Sequence, residues 1–144
     1  MQIPQPAKLR QMPAHARAKA KVTVESSQST PWDQSTTPSL IEIHLTETFT
    51  GDLDGQSPVR ALQLLRDDHS ATLVSLQRFT GRLHGRRGSF VLQGSETVDN
   101  GHIRATWFVV PGSGTGHLAH LRGQGGFEGS FGQVSEAWLD YWFE

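Results

Sequence analysis

Cysteine is missing from this chain of 144 residues, which excludes disulfide bridges, thiolate nucleophiles and cysteine-ligated zinc. Long apolar runs are missing too, and none approaches the roughly 20 residues that a membrane-spanning helix requires. The start of the chain also lacks the apolar segment of a secretory signal. These absences predict a cytoplasmic protein that does not enter a membrane.

Lysine is absent after residue 21, and charge is unevenly distributed along the chain. The first 21 residues carry five basic and no acidic side chains, whereas all 14 acidic residues follow them. A nucleic-acid-binding domain needs a cationic face, so the acidic body excludes that class. The basic start also contains three prolines and few large apolar residues. We therefore predict a disordered extension over residues 1–18 and one domain over residues 19–144.

Helical spacing of apolar residues is absent as well. Beyond residue 19 the chain alternates or forms short apolar runs, both of which are typical of strands. These stretches are residues 20–26, 39–51, 57–65, 70–81, 88–98, 102–110 and 136–143. Short connections indicate antiparallel neighbours. We predict an all-β, eight-stranded antiparallel meander barrel, with a β-sandwich as the alternative, because either arrangement protects the strand edges.

Turn-forming residues separate the predicted strands. The pairs Asp54-Gly55 and Asn100-Gly101 favour two-residue hairpins, because such pairs tolerate positive φ. Residues 66–69 and 83–88 are predicted as further hairpin ends.

Seven glycines lie between residues 109 and 129, which raises the question of a phosphate-binding loop. A Walker loop requires a lysine that this region lacks, and a dinucleotide fingerprint requires a long helix after the glycines. We therefore predict that Gly112, Gly114 and Gly116 form a structural turn, in which glycine supplies positive φ. Leu118 and Leu121 are predicted to plug one end of the barrel from a single helical turn.

The stretch PGSGTGHLAHLRGQGGF, residues 111–127, resembles the signature PGSGTG-x-L-x-x-L-R-G-x-G of an uncharacterised bacterial family, domain-of-unknown-function family 3224. The similarity extends to TFTGDLDG, RFTGRLHGRRGSFVLQ and LDYWFE, and so covers about residues 20–144. It implies a barrel like those of allene oxide cyclases and dirigent proteins. Many relatives carry histidine where this chain has Gly94, so any chemistry of that histidine is missing here. No catalytic residue of the cyclases has a counterpart in these motifs, and none is transferred.

Strand alternation identifies candidates for a ligand site inside the barrel. The polar candidates are Glu42, His44 and Gln93, and the aromatic candidates are Trp107 and Trp138. A shift of one residue in register would turn the polar candidates outward. His117 and His120 have the spacing of a helical turn, but no supporting pattern accompanies them. We therefore predict neither a metal site nor a cofactor.

Three classes of function remain open. The first is binding of a small apolar or aromatic molecule in the barrel cavity. The second is a cyclase- or isomerase-type enzyme acting on a reactive small molecule in that cavity, which rests on fold analogy alone. The third is a structural role, and a homo-oligomer stays open. A buried carboxyl group with a histidine or arginine partner would favour the enzyme. An apolar cavity without ionisable groups would favour the binding protein. A barrel whose interior is completely filled by side chains would favour the structural role.

Overall fold

The computed structural model describes residues 15–130 and 132–144 and contains a closed barrel of eight antiparallel strands. The strands are β1 (Ala16–Asp33), β2 (Ser39–Gly51), β3 (Leu53–Leu65), β4 (Ala71–Leu83), β5 (Arg86–Asp99), β6 (His102–Val109), β7 (Leu121–Ser130) and β8 (Ser135–Phe143). Each strand pairs with the next along the chain, and β1 pairs with β8 to close the barrel. The predicted meander barrel is confirmed and the sandwich alternative is excluded.

The first strand begins before the predicted start of the domain at residue 19. Ala16 pairs with Tyr141 and Ala18 pairs with Leu139, and Ala18 is completely buried. Alanine is only weakly apolar, so the alternation of small and basic residues at the start of β1 does not indicate a strand from sequence alone. Residues 1–14 of the predicted extension lie outside the described part of the chain.

The hairpin predicted at Asn100-Gly101 is confirmed. Asp99 pairs with His102, and the two residues between them have φ of 50° and 80°. Positive φ at both positions is the requirement of a type I′ turn. The predicted hairpin ends at residues 66–69 and 83–88 are also present, as the β3–β4 and β4–β5 turns.

The hairpin predicted at Asp54-Gly55 is wrong, because both residues lie inside β3 and pair with β4. The chain turns earlier, between the end of β2 at Gly51 and the start of β3 at Leu53. Gly55 lies opposite Gly81, and a β-carbon at Gly55 would clash with the carbonyl oxygen of Thr80. Glycine at this position therefore permits a close approach of two strands rather than a turn.

The glycine-rich region divides into a turn and a strand. Gly116–Leu118 form one 3-10 turn, and Leu118 is fully buried. Leu121 is also fully buried, but it is the first residue of β7 and not part of the helical turn. The prediction missed β7 because its sequence LRGQGGFEGS contains four glycines, which provide no alternation of side chains.

The interior has two halves that we name the filled half and the hollow half. The filled half contains completely buried large side chains, namely Phe49, Leu53, Phe79, Leu83, Phe90, Leu118, Leu121 and Leu139. The ring centroids of Phe49 and Phe79 lie 5.5 Å apart, and those of Phe79 and Phe90 lie 5.0 Å apart. The hollow half has a smaller cluster of Ala61, Ala71 and Leu73, against which Ile43 and Val98 pack.

Candidate functional site

The hollow half encloses a cavity of about 570 Å³. This volume falls within the range of small-molecule sites, which is roughly 300–1,000 Å³. Its apolar wall includes Ile43, Leu45, Val59, Ala61, Leu73, Val98, Ile103, Ala105, Trp107 and Phe127. The barrel therefore provides an interior space that is mainly apolar and large enough for a small molecule.

The cavity exists because several inward-facing positions carry small side chains. Ala61, Ser75, Gly94 and Ala105 all line it, on four consecutive strands. The filled half has phenylalanine and leucine at the inward positions of the same strands. A side chain at position 94 would face this space, since a β-carbon there would lie 3.6 Å from the β-carbon of Trp107. Glycine therefore enlarges the cavity next to the indole ring.

The end of the cavity away from the filled half is formed by a long ribbon and a turn. β1 pairs with β8 only as far as Val22, whereas its pairing with β2 continues to Asp33. The resulting β1–β2 ribbon contributes Ser27 and Ser29 to the cavity wall, and the β7–β8 turn contributes Gln133. Uncharged polar side chains therefore lie at this end of the cavity.

Glu47 is the most buried carboxyl group of the cavity. It lies on β2, only 6% of its surface is exposed, and its Oε1 has no hydrogen-bond partner. Burial and, to a smaller extent, the charge of Glu96 raise the pKa of Glu47 to about 8 against the opposing effect of a hydrogen bond with Gln77. Glu47 is therefore mainly protonated and uncharged at neutral pH.

Glu96 of β5 faces the same cavity. Burial raises the pKa of Glu96 to about 7. Gln77 forms a hydrogen bond with Glu47. The hydroxyl group of Ser57 holds Gln77 in place, because Ser57 Oγ donates a hydrogen bond of 2.6 Å to Gln77 Oε1. Lysine, arginine and histidine do not occur among the described residues that line the cavity. Among the described residues of the cavity wall, these two carboxyl groups are the only acids, and no cationic side chain pairs with them.

Trp107, one of the predicted aromatic residues, lies in the cavity wall and is 5% exposed. Its ring packs against Phe127 at 5.4 Å and against Phe49 at 6.1 Å between centroids. The indole Nε1 is buried and has no hydrogen-bond partner. Buried polar groups almost always have partners, so Trp107 and Glu47 are exceptions in the same cavity.

The other predicted site residues face outward. Ile43, Leu45 and Glu47 line the cavity, so alternation turns Glu42 and His44 to the outer face of β2. The two outer side chains bond with each other, with 3.1 Å between His44 Nε2 and Glu42 Oε1. The prediction that Glu42 and His44 point into the barrel is wrong, because it assigned the inner face of β2 one residue out of register.

Gln93 and Trp138 are outward-facing for the same reason. Each stands between residues of the interior, Gln93 between Leu92 and Gly94, and Trp138 between two core residues of β8. Together with Glu42 they line a separate, open groove of about 970 Å³ on the outside of the barrel. The groove lies outside the barrel wall and the cavity inside it, and the two spaces share the wall residues Ala61, Ser75, Gly94, Thr106 and Trp107.

Sequence reasoning missed Glu47 and Glu96 as cavity residues, although a signal for Glu47 exists. On β2, Ile41, Ile43, Leu45 and Phe49 share one parity, and Glu47 is the single charged residue within that apolar face. An acidic residue in the middle of an apolar face has a high cost of burial. It was therefore a stronger candidate than the charged residues on the opposite face.

A second polar cluster lies at the filled end, and its members are paired. His84 Nδ1 lies 2.5 Å from the hydroxyl oxygen of Tyr141, and His84 Nε2 lies 3.4 Å from Asp52 Oδ2. Asp52 also accepts a hydrogen bond from the backbone nitrogen of Lys19. These contacts join β1 and β8 to the β2–β3 and β4–β5 turns, and so have a structural explanation.

The predicted glycine turn attaches to β5. Gly112 and Gly116 have φ of 81° and 61°. The backbone nitrogen of Thr115 donates to the carbonyl oxygen of Ser89 at 2.9 Å, and that of Val91 donates to Ser113 Oγ at 3.0 Å. At Gly114, a β-carbon would clash with the carbonyl oxygen of Leu118. The turn holds Leu118 in the filled end.

Neither a metal site nor a membrane-spanning helix is found in the described part of the chain. Residues 15–130 and 132–144 contain no group of three histidine, aspartate or glutamate side chains placed to hold a metal ion. Within the same ranges, no helix is long and apolar enough to cross a membrane.

Comparison with known proteins identifies the family. The model of a family described as "Protein of unknown function (DUF3224)" matches residues 18–141. A crystal structure of a protein of unknown function from the same family, from Shewanella oneidensis MR-1, is 27% identical, with a TM-score of 0.72 over 91% of this chain and 99% of that chain. No curated protein matches the chain. The chain therefore belongs to the DUF3224 family of proteins of unknown function.

Proposed function

We propose that the protein binds a small, mainly apolar molecule in the hollow half of the barrel. The observation that carries this proposal is the cavity of about 570 Å³, whose wall holds two buried polar atoms without partners, Glu47 Oε1 and Trp107 Nε1. A polar group on a bound molecule would satisfy atoms that the protein leaves unsatisfied. Apolar walls with a few polar groups are typical of ligand pockets.

The cost of the cavity supports the same conclusion. Empty space in a core lowers the free energy of unfolding by about 24 cal/mol for each Å³ left unfilled in measured substitutions. Larger side chains at Ala61, Ser75 or Ala105 would fill part of this space. Small residues at these inward positions are therefore explained by a molecule that occupies the cavity.

An enzyme of the isomerase type is the second candidate. The observation in its favour is Glu47, which is buried, protonated near neutral pH and able to act as a general acid toward a bound molecule. Against it, the described cavity residues offer no histidine or arginine to share a proton transfer. A purely structural role does not explain the hollow half. Binding without catalysis is the function that the geometry supports best.

The neutral dye prodan tests the proposal. Titration should quench tryptophan emission saturably, because Trp107 lies in the cavity wall. The variant Ala61→Phe should abolish this binding, since Ala61 faces the cavity and is 3% exposed. Leu62→Phe is the matched control: it adds a ring to the next residue, which is 42% exposed and lines the outer groove.

Circular dichroism and urea unfolding of each variant establish that the barrel is intact. If Ala61→Phe binds prodan as the parent protein does while Leu62→Phe does not, the dye occupies the outer groove and the proposal is wrong. Absence of saturable binding to the parent protein, by prodan and by the aromatic compounds named below, also contradicts it.

A further inference from the structure

We propose that the molecule bound in this cavity carries a positively charged nitrogen on a compact apolar body, with Glu47 and Glu96 as its counter-charges and Trp107 as its aromatic wall. The inference rests on the proposed function, because it names the chemical class that the same cavity selects. It assigns the ligand as an organic cation.

The ionisable groups of the cavity all have one sign. β2 contributes Glu47 and β5 contributes Glu96, whereas the described cavity residues of β1, β3, β4, β6, β7 and β8 contribute none. Tyr141 is buried as well, but it belongs to the filled half, where its hydroxyl group bonds with His84. Buried carboxyl groups normally have a cationic or hydrogen-bonding partner. Glu47 has a hydrogen bond with Gln77 but no cationic partner in the described cavity wall, and a cationic ligand would take that place.

Trp107 lies on the same inner surface as the two carboxyl groups. Glu47 is two residues before Phe49 on the same face of β2, and the Phe49 and Trp107 rings are 6.1 Å apart. Glu96 is two residues after Gly94, which pairs with Trp107 across β5 and β6. The face of an indole ring is the best aromatic partner of a cation. One site thus combines two acids with an aromatic wall.

The unpartnered atoms give the second, independent observation. Glu47 is 6% exposed, and its Oε1 has no partner that could donate a hydrogen bond. An ammonium group or the polarised methyl groups of a quaternary nitrogen would supply the missing positive charge. Trp107 Nε1 also lacks a partner, and as a donor it would suit an acceptor atom elsewhere on the ligand.

Other ligand classes fit this cavity less well. An anion would meet no basic side chain among the described cavity residues, and it would favour the protonated, uncharged forms of the two carboxyl groups. A metal ion is unsuited, because residues 15–130 and 132–144 provide no set of three ligands. A neutral molecule would need only the serines and glutamines of the wall, and the two acids would remain unexplained. A neutral ligand is therefore the alternative outcome of the test.

Binding of a cation should be linked to proton release. Before binding, burial raises the pKa of Glu96 to about 7 and contributes most to the rise of that of Glu47 to about 8, so near neutral pH Glu47 is mainly protonated and Glu96 is about half protonated. A cation beside them favours their ionised forms and lowers both pKa values. Affinity for a cation that does not itself titrate should rise with pH through this range.

A pair of compounds of equal shape tests the inference. Benzyltrimethylammonium is permanently charged, and neopentylbenzene replaces its nitrogen with carbon and is neutral. Both are measured by displacement of prodan and by tryptophan emission. We expect the cation to bind about tenfold more tightly than its neutral counterpart at about pH 8.5, and the preference to disappear at about pH 5.5.

Three variants of one chemical type locate the effect. Glu47→Gln and Glu96→Gln should each reduce the preference for the cation and flatten its pH dependence, while neopentylbenzene still binds. Glu42→Gln is the matched control, because this glutamate lies on the outer face of β2 and lines the outer groove. It should leave both the preference and its pH dependence unchanged.

Two results would overturn the inference and leave the proposed function standing. One is neopentylbenzene binding as tightly as the cation or more tightly at high pH. The other is a preference for the cation that survives both interior substitutions but is lost in Glu42→Gln. If prodan and both aromatic compounds fail to bind at any pH, the proposed function itself falls, and the inference with it.

Discussion

The filled and hollow halves of the barrel are built by the same strands with the same alternation, yet they have opposite packing. On β4, Phe79 and Leu83 are fully buried in the filled half, while Leu73 and Ser75 of the hollow half line the cavity. In the filled half, the buried Tyr141 hydroxyl pairs with His84. In the hollow half, Glu47 and Trp107 each keep a polar atom unpaired. The difference leaves one half densely packed and the other with the space that the proposed ligand would occupy.

The largest expected effect on stability comes from truncating a leucine to alanine in each of the two halves. Leu83→Ala should lower the free energy of unfolding by about 4 kcal/mol, because Leu83 is fully buried among other side chains. Leu73→Ala should cost about half as much, because part of the Leu73 surface already faces the cavity. Urea unfolding of both variants measures the two losses. Equal losses would mean that the hollow half is packed as densely as the filled half.

An intermediate effect concerns pH and the buried acid of the hollow half. The pKa of Glu47 is about 8 in the folded protein, against 4.5 for an ordinary glutamate side chain in water. Between these pH values the folded state binds more protons than the unfolded state, so stability falls as pH rises and the loss is complete above about pH 8. Glu47→Gln removes this penalty and should raise stability at about pH 8.5 by about 2 kcal/mol relative to the parent protein.

The same variant should give no advantage below about pH 4.5, where the parent carboxyl group is protonated in both states. Thermal unfolding at several pH values, without added ligand, measures the difference. Glu42→Gln serves as the control, since Glu42 lies on the outer face. Parallel stability profiles for the parent protein and Glu47→Gln would show that Glu47 is better solvated than its burial indicates.

The smallest expected effect concerns the β5–β6 turn at the hollow end. Gly101 has a φ of 80°, and a β-carbon there would meet no atom within 4 Å. Gly101→Val should therefore cost about 1 kcal/mol through backbone strain alone. Gly101→Asn should cost less, because asparagine tolerates positive φ. Chemical denaturation gives both values, and an equal loss for the two variants would point to lost packing instead of strain.

Several features of the fold could be read from the sequence because they depend on neighbouring residues. Alternation over residues 39–51 and 70–81 predicted β2 and β4, and Asn100-Gly101 predicted a hairpin that the structure contains. The motif around residues 111–127 identified the family. β7 could not be read in this way, since its glycines have no side chains to alternate. The cytoplasmic location stays a prediction.

The sequence by itself determined that the chain forms strands and where several of them turn, and it left a closed barrel and a sandwich both open. Only the tertiary structure decided which face of each strand is inside, so that Glu47 and Glu96 enter the cavity while Glu42, His44 and Gln93 remain outside. The physical reason is that alternation defines two faces but does not name the inner one. That choice depends on which face packs against strands far away in the chain, and a shift of one residue reverses it.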